Sequence, residues 1–128
     1  MKRIIVSTAK APASIGPYSQ AVKAGNTLYI SGQIGLDPAT MEVVRGGVQA
    51  QARQVLQNFG EVLKSGGSSF DQVLKTTVLL KNMDDFAAVN AIYAEFFPKY
   101  PPARAAYEVV RLPKDVLVEI EGIAIVEN

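Results

Sequence analysis

The chain has 128 residues, 48% of them hydrophobic and 20% charged, with 13 Lys and Arg against 12 Asp and Glu. That is the length and composition of one ordinary globular domain, 1–128, and a formal net charge of +1 without a polybasic run offers nucleic acid no electrostatic footprint. Cysteine and histidine are both absent, which excludes disulfides, thiolate and imidazole metal sites, a cysteine nucleophile and the commonest general base.

Residues 2–6 form a short apolar run that reads as an edge strand. No signal-peptide apolar region follows it, and no 18-residue apolar span occurs, so the expectation is a cytoplasmic protein without a membrane segment. Pro12, Gly16 and Pro17 make residues 11–18 a loop. Residues 19–24 and 27–34 predict two strands around the hairpin signal Gly25-Asn26. Gly32 interrupts the second, which predicts a bulge or a close approach to the backbone. Residues 36–45 connect to a segment of helical period. From 47 to 65, Val48, Ala52, Val55, Phe59 and Val62 form one apolar stripe, Gln51, Arg53, Gln57 and Lys64 fall mainly elsewhere, and Gly66-Gly67 stops the helix.

Residues 73–80 predict a strand. Asn82 or Asp84 can cap a second helix with the stripe Phe86, Val89, Tyr93, Phe96 and Phe97, ended by Pro98, Pro101 and Pro102. Residues 104–110 and 116–126 then read as two strands joined by the turn Leu112-Pro113-Lys114-Asp115. The predicted class is α+β, a single mixed β-sheet with two helices packed on one face. Its other face, carrying Leu117, Glu119 and Glu121, is left uncovered, so a symmetric homo-oligomer is expected to cover it.

Strand alternation puts Arg104, Ala106 and Glu108 on one face of their strand and Leu117, Glu119 and Glu121 on one face of the next. A guanidinium and carboxylates on adjoining strands beside small residues could outline a pocket. On the residues alone they could equally be exposed surface charges of little energetic worth.

The pattern Pro102-Ala103-Arg104-Ala105-Ala106-Tyr107-Glu108-Val109, then Leu112-Pro113-Lys114-Asp115, then Val118-Glu119-Ile120-Glu121, resembles the C-terminal signature of the RidA (YjgF) family. The resemblance spans the chain, through residues 13–20, Ser31-Gly32-Gln33-Ile34, Gln51-Ala52-Arg53-Gln54, Lys75-Thr76-Thr77-Val78 and residues 85–90. It implies a chorismate-mutase-like fold and a homotrimer with clefts between subunits. It also implies hydrolysis of short 2-imino acids, 2-iminopropanoate and 2-iminobutanoate, to 2-keto acids and ammonia, without cofactor or metal. The damage so relieved is damage to pyridoxal-phosphate enzymes.

Carried over residue by residue, the resemblance gives Arg104 the substrate carboxylate, for which a guanidinium offers a bidentate fork that lysine lacks. The Ala106 backbone N–H would assist, where some members have cysteine. Glu119 would position the attacking water. Tyr18 would close the site or hydrogen-bond the imine nitrogen, unless it simply packs. Ser31 and Gly32 would line the pocket. Asn90 would contact substrate across the subunit boundary, or be a helix-surface amide, and Glu121 reads as an interface or surface ion-pair partner. The alternative function is a non-catalytic ligand sensor or regulator, or an endoribonuclease or translation inhibitor. Retention of Arg104 speaks for the enzyme.

Overall fold

The computed structural model describes residues 2–127. Six strands form one sheet in the order β1-β2-β3-β6-β4-β5. They are β1 (Arg3–Val6), β2 (Ala21–Ala24), β3 (Thr27–Ile34), β4 (Val73–Leu80), β5 (Ala103–Glu108) and β6 (Val118–Ile125), with helices α1 (Gly47–Ser65) and α2 (Phe86–Phe96). All neighbours are antiparallel except β4 and β5, which are parallel. The expected mixed sheet with two helices is therefore present, and β1 is an edge strand as expected.

The core lies between the sheet and the helices. Ala52, Val55, Phe59 and Val62 of α1 are fully buried against Leu28, Val78, Val118 and Ile120. Phe59 reaches the sheet because β6 has Gly122 beneath it, where a Cβ would sit 2.7 Å from the ring's Cζ and 2.9 Å from the Lys75 carbonyl. On α2, Val89, Ile92 and Tyr93 are buried, and Phe70 joins Phe59, Phe96 and Phe97 with ring centroids 5.3–6.3 Å apart, a spacing that favours edge and offset contacts. An exposed Arg53–Glu95 pair at 2.9 Å links the two helices.

At the Gly25-Asn26 turn, Gly25 takes φ 57°, the left-handed region the hairpin requires. The predicted break at Gly32 is a β-bulge. Ile30 pairs with Gly122 but Gln33 pairs with Ile120, so β3 holds one residue more than β6 between these pairs. Because side chains alternate with period two, the extra residue inverts the faces that follow. Ile30 looks into the core, whereas Ile34 looks to the opposite face, opposite Glu119. There Ile34, Leu36, Leu112 and Val116 build a second, smaller apolar cluster, joined by Leu79 and Val109. The rest of that face is open and exposes Ile5, Tyr29 and Tyr107 to half or more of their surface.

Three expectations need correction. Strands β5 and β6 are not a hairpin-like pair, because β4 lies between them and bonds to both. A crossover through α2 feeds β5 in parallel to β4, and hydrophobic pattern alone does not distinguish that from a hairpin. Gln51, expected mainly off the buried stripe of α1, nevertheless faces the protein interior. It is buried, and its Oε1 accepts a hydrogen bond from the Leu117 N–H at 2.8 Å. Asn82 caps a 3-10 turn, Met83–Asp85, rather than α2 itself, its Oδ1 accepting from the Asp84 N–H at 2.9 Å.

Candidate active site

Glu119 lies on β6 on the face away from the helices, with Leu79 and Ile34 as its neighbours on β4 and β3. Its carboxylate folds against the bulge at Gly32. A Cβ added there would lie 2.9 Å from the Glu119 Cδ, 3.1 Å from its Cγ, and closer still to Oε2. The bulge and the absence of a side chain thus create the space the carboxylate occupies. Glu119 is partly buried, and burial, followed by the neighbouring Glu121 carboxylate, pushes its pKa above the ordinary carboxylate range. A carboxylate so raised is a better proton acceptor than a surface glutamate, which suits a general base.

Glu119 shares a groove of about 390 Å³ with Ile15, Tyr18, Ser31, Gly32, Ile34, Pro113 and Glu121. Tyr18 is 48% exposed at its rim. The loop bearing it is pinned by two side chains. Gln20, buried, accepts from the Thr8 N–H at 2.7 Å and donates to the Thr8 carbonyl at 3.0 Å and the Pro12 carbonyl at 2.8 Å. Ser31 donates its hydroxyl to the Ser19 carbonyl at 2.6 Å. The Ser31 hydroxyl proton is therefore engaged in holding the segment next to Tyr18, and its oxygen is what remains to meet a ligand. Sequence reasoning missed Gln20, although a glutamine adjoining a breaker-rich loop is a natural pin for it.

On the far rim, Pro113 belongs to the turn before β6, where Lys114 and Asp115 adopt φ 56° and 54°. Arg111 spans this turn to Asp115 at 2.9 Å. Gln51 fixes the next segment through Leu117, two residues before Glu119. The approach to the carboxylate is thereby fastened to α1.

Arg104 is elsewhere. Its partner on β4 is Thr76, which is completely buried on the helix side, so Arg104 is on the opposite face from Glu119. Its guanidinium lies 5.3 Å from the Phe86 ring centre and 4.9 Å from that of Tyr93, and Nη1 donates to Asn90 Oδ1 at 2.8 Å. Asn90, Tyr93, Ala94, Phe97, Pro101, Pro102 and Arg104 line a second hollow. Ala106 follows two residues later on the same face and packs partly buried against the main core. Within one chain, then, the structure brings together Tyr18, Ser31, Gly32 and Glu119, and separately Arg104 and Asn90. The pocket suggested by adjoining strands does not form in one protomer, because β4 separates β5 from β6 and the two charges face opposite ways.

Among the described residues no helix is long and apolar enough to cross a membrane. The sequence model of the endoribonuclease L-PSP family matches residues 8–126. A mouse protein named 2-iminobutanoate/2-iminopropanoate deaminase is 56% identical over 123 residues, covering 96% of this chain and 91% of that one. The crystal structure of RidA from an Antarctic Psychrobacter bacterium superimposes with a TM-score of 0.93 at 47% identity, covering 96% of this chain and 99% of the other. That of the Rid-family protein YyfA from Yersinia pestis gives 0.95 at 44% identity, covering 98% and 100%. With a family model spanning nearly its whole length and relatives this similar, the chain belongs to the RidA/YjgF family, whose model bears the name endoribonuclease L-PSP.

Proposed function

We propose that this protein is a cytoplasmic hydrolase that converts short 2-imino acids, of the 2-iminopropanoate and 2-iminobutanoate kind, to 2-keto acids and ammonia. The observation that carries the reading is the partly buried Glu119 carboxylate, raised in pKa, in a groove with an apolar rim. The name of the mouse relative supports it. Arg104 supplies the complementary group, a permanently charged fork for the substrate carboxylate.

Because the two groups face opposite sides of one sheet, the complete site is read as forming between copies. Arg104 and the Ala106 N–H come from one subunit, and Tyr18, Ser31, Gly32 and Glu119 from its neighbour. The open sheet face with Ile5, Tyr29 and Tyr107 supports association, and a closed trimer would give three such clefts. β5 is an edge strand whose Val109 N–H bonds inward to the Leu80 carbonyl at 2.8 Å. Alternation along the strand then turns the Ala106 N–H to the free edge, where a ligand can reach it.

In this mechanism the protonated imine is already electrophilic at C2. Glu119 takes a proton from water as the water oxygen bonds to C2 and the C=N π pair moves to nitrogen, giving a neutral carbinolamine. The protonated Glu119 returns its proton to the amine. The C–N bond breaks as the hydroxyl oxygen forms the carbonyl, and the departing ammonia takes the hydroxyl proton to leave as ammonium. Such imines also hydrolyse unaided in water, so positioning and one general base supply enough acceleration. A ribonuclease reading is disfavoured by the pair Glu119 and Glu121 at the groove, which would repel a phosphodiester.

The test is subunit complementation on freshly generated 2-iminobutanoate. Arg104→Ala and Glu119→Gln proteins are each expected to be inactive. Reassembled together at equal amounts, they should recover about one quarter of the wild-type rate, since half of the Arg104 sides meet half of the Glu119 sides. Wild-type protein that does not accelerate imine decay overturns the deaminase reading. Active wild type with no recovery on mixing overturns the shared cleft.

A further inference from the structure

Arg104 is the second residue of an exposed edge strand, where a long side chain would ordinarily sample many rotamers. Here it does not stand free. Phe86, Asn90 and Tyr93 lie at i, i+4 and i+7 of α2, on one face of the helix. The two rings flank the guanidinium at 5.3 and 4.9 Å, and between them Asn90 Oδ1 accepts from Nη1 at 2.8 Å. Tyr93 is fixed in turn, because its hydroxyl is 2.7 Å from that of Thr76, the buried β4 partner of Arg104. Each contact depends on the tertiary meeting of α2 with β5, and none uses a charged partner that would neutralise the guanidinium.

We propose that Asn90 is a positioning residue for Arg104 rather than a substrate contact, and that the α2 stripe Phe86-Asn90-Tyr93 presets the guanidinium for a planar carboxylate. This rests on the reading of Arg104 as the carboxylate anchor. An asparagine oxygen engages one terminal nitrogen while leaving the positive charge intact. The other terminal nitrogen and Nε then form the free edge, two parallel donors that match the two oxygens of a carboxylate. Aromatic faces hold the plane of the fork without competing for its hydrogen bonds. An aspartate at 90 would serve as acceptor too, but it would pair with the guanidinium and compete with the ligand. The carboxylate amide of the same ligand, having one acceptor oxygen and no charge, would gain little from the arrangement.

The test combines three readouts on the assembled protein. Asn90→Ala is expected to raise KM for 2-iminobutanoate, and to weaken equilibrium binding of the keto-acid product 2-oxobutanoate, each by about tenfold with kcat within about twofold. In an Arg104→Ala background the same substitution should change 2-oxobutanoate binding no further, because Asn90 acts only through the guanidinium. In ligand-free protein, nitrogen-15 NMR of the Arg104 side chain should show faster rotation about the Nε–Cζ bond in Asn90→Ala than in wild type. Asn90→Asp should retain slow rotation yet bind 2-oxobutanoate more weakly than wild type. A fall in kcat at unchanged KM, or an Asn90→Ala effect on binding that persists without Arg104, overturns the proposal and assigns Asn90 to the ligand. Unchanged Arg104 rotation in Asn90→Ala overturns it as well. If wild-type protein hydrolyses no imine the deaminase reading fails, and the rotation and 2-oxobutanoate measurements still decide the clamp.

Discussion

Replacing Gly32 by alanine adds one methyl group at the point where the proposed general base is stored. The new Cβ would stand 2.9 Å from the Glu119 Cδ and 3.1 Å from its Cγ, against an ordinary contact of 3.4 Å or more. The Cδ must then withdraw by 0.5 Å, the difference between 3.4 and 2.9, and the carboxylate tip by about 1 Å to restore a normal separation. The obstacle is the far end of a flexible side chain, so the fold can absorb it. An off-rotamer χ angle costs about 0.5–1.5 kcal/mol, which for a chain of this size lowers Tm by roughly 2–8 °C. Catalysis is more sensitive, since a misplacement of about 1 Å can cost on the order of 10²-fold. The expected result for Gly32→Ala is a folded assembly whose kcat on 2-iminobutanoate falls about 10²-fold, with a smaller change in KM. Imine disappearance by absorbance and ammonia release, beside a thermal melt, measure the two effects. Wild-type kcat in a variant whose Glu119 has visibly moved would refute the claim that this carboxylate acts from the Gly32 niche.

The raised pKa of Glu119 has consequences for stability and for rate. A folded-state pKa above the unfolded value means that the folded form binds the proton more tightly, so this stabilising contribution is present at low pH and is lost as pH rises through the folded pKa. Glu119→Gln should therefore gain stability relative to wild type as pH rises through that range, while losing about 10²-fold or more in kcat, by denaturant melts and imine assays from pH 4 to 8. Glu121→Gln removes the second cause of the shift, so the acid limb of wild-type activity should move to lower pH in that variant. Ser31→Ala removes the 2.6 Å bond to the Ser19 carbonyl. It should cost about 1 kcal/mol of stability, and raise KM more than it lowers kcat, through a looser Tyr18 segment, as steady-state kinetics and denaturant titration would show.

Much of this protein was legible in its sequence because the signals are local. The α1 stripe Ala52, Val55, Phe59 and Val62 has helical period, and those residues are fully buried. Gly25-Asn26 marks a hairpin, and Gly32 marked a bulge or a close approach to the backbone, of which the structure has both. The two uneven faces of the sheet also followed from alternation. The family pattern was distributed along the chain and was likewise readable in order.

What tertiary structure alone decided concerns which elements meet. Whether β5 joins β6 or β4 depends on the path of α2, and the crossover puts Arg104 and Glu119 on opposite faces. The single extra residue in β3 turns Ile34 away from the core, which no hydrophobic pattern specifies, because apolar clusters lie on both sides. Gln51 falls off the apolar stripe, and its burial follows only from the start of β6, which brings the Leu117 N–H against it. Asn90 looked like a surface amide or a ligand contact until β5 placed a guanidinium 2.8 Å away. Sequence determines local periodicity, turns and the inventory of charges. The partners of those charges are set by contacts between segments far apart in the chain, whose free energy depends on packing rather than on any neighbouring residue.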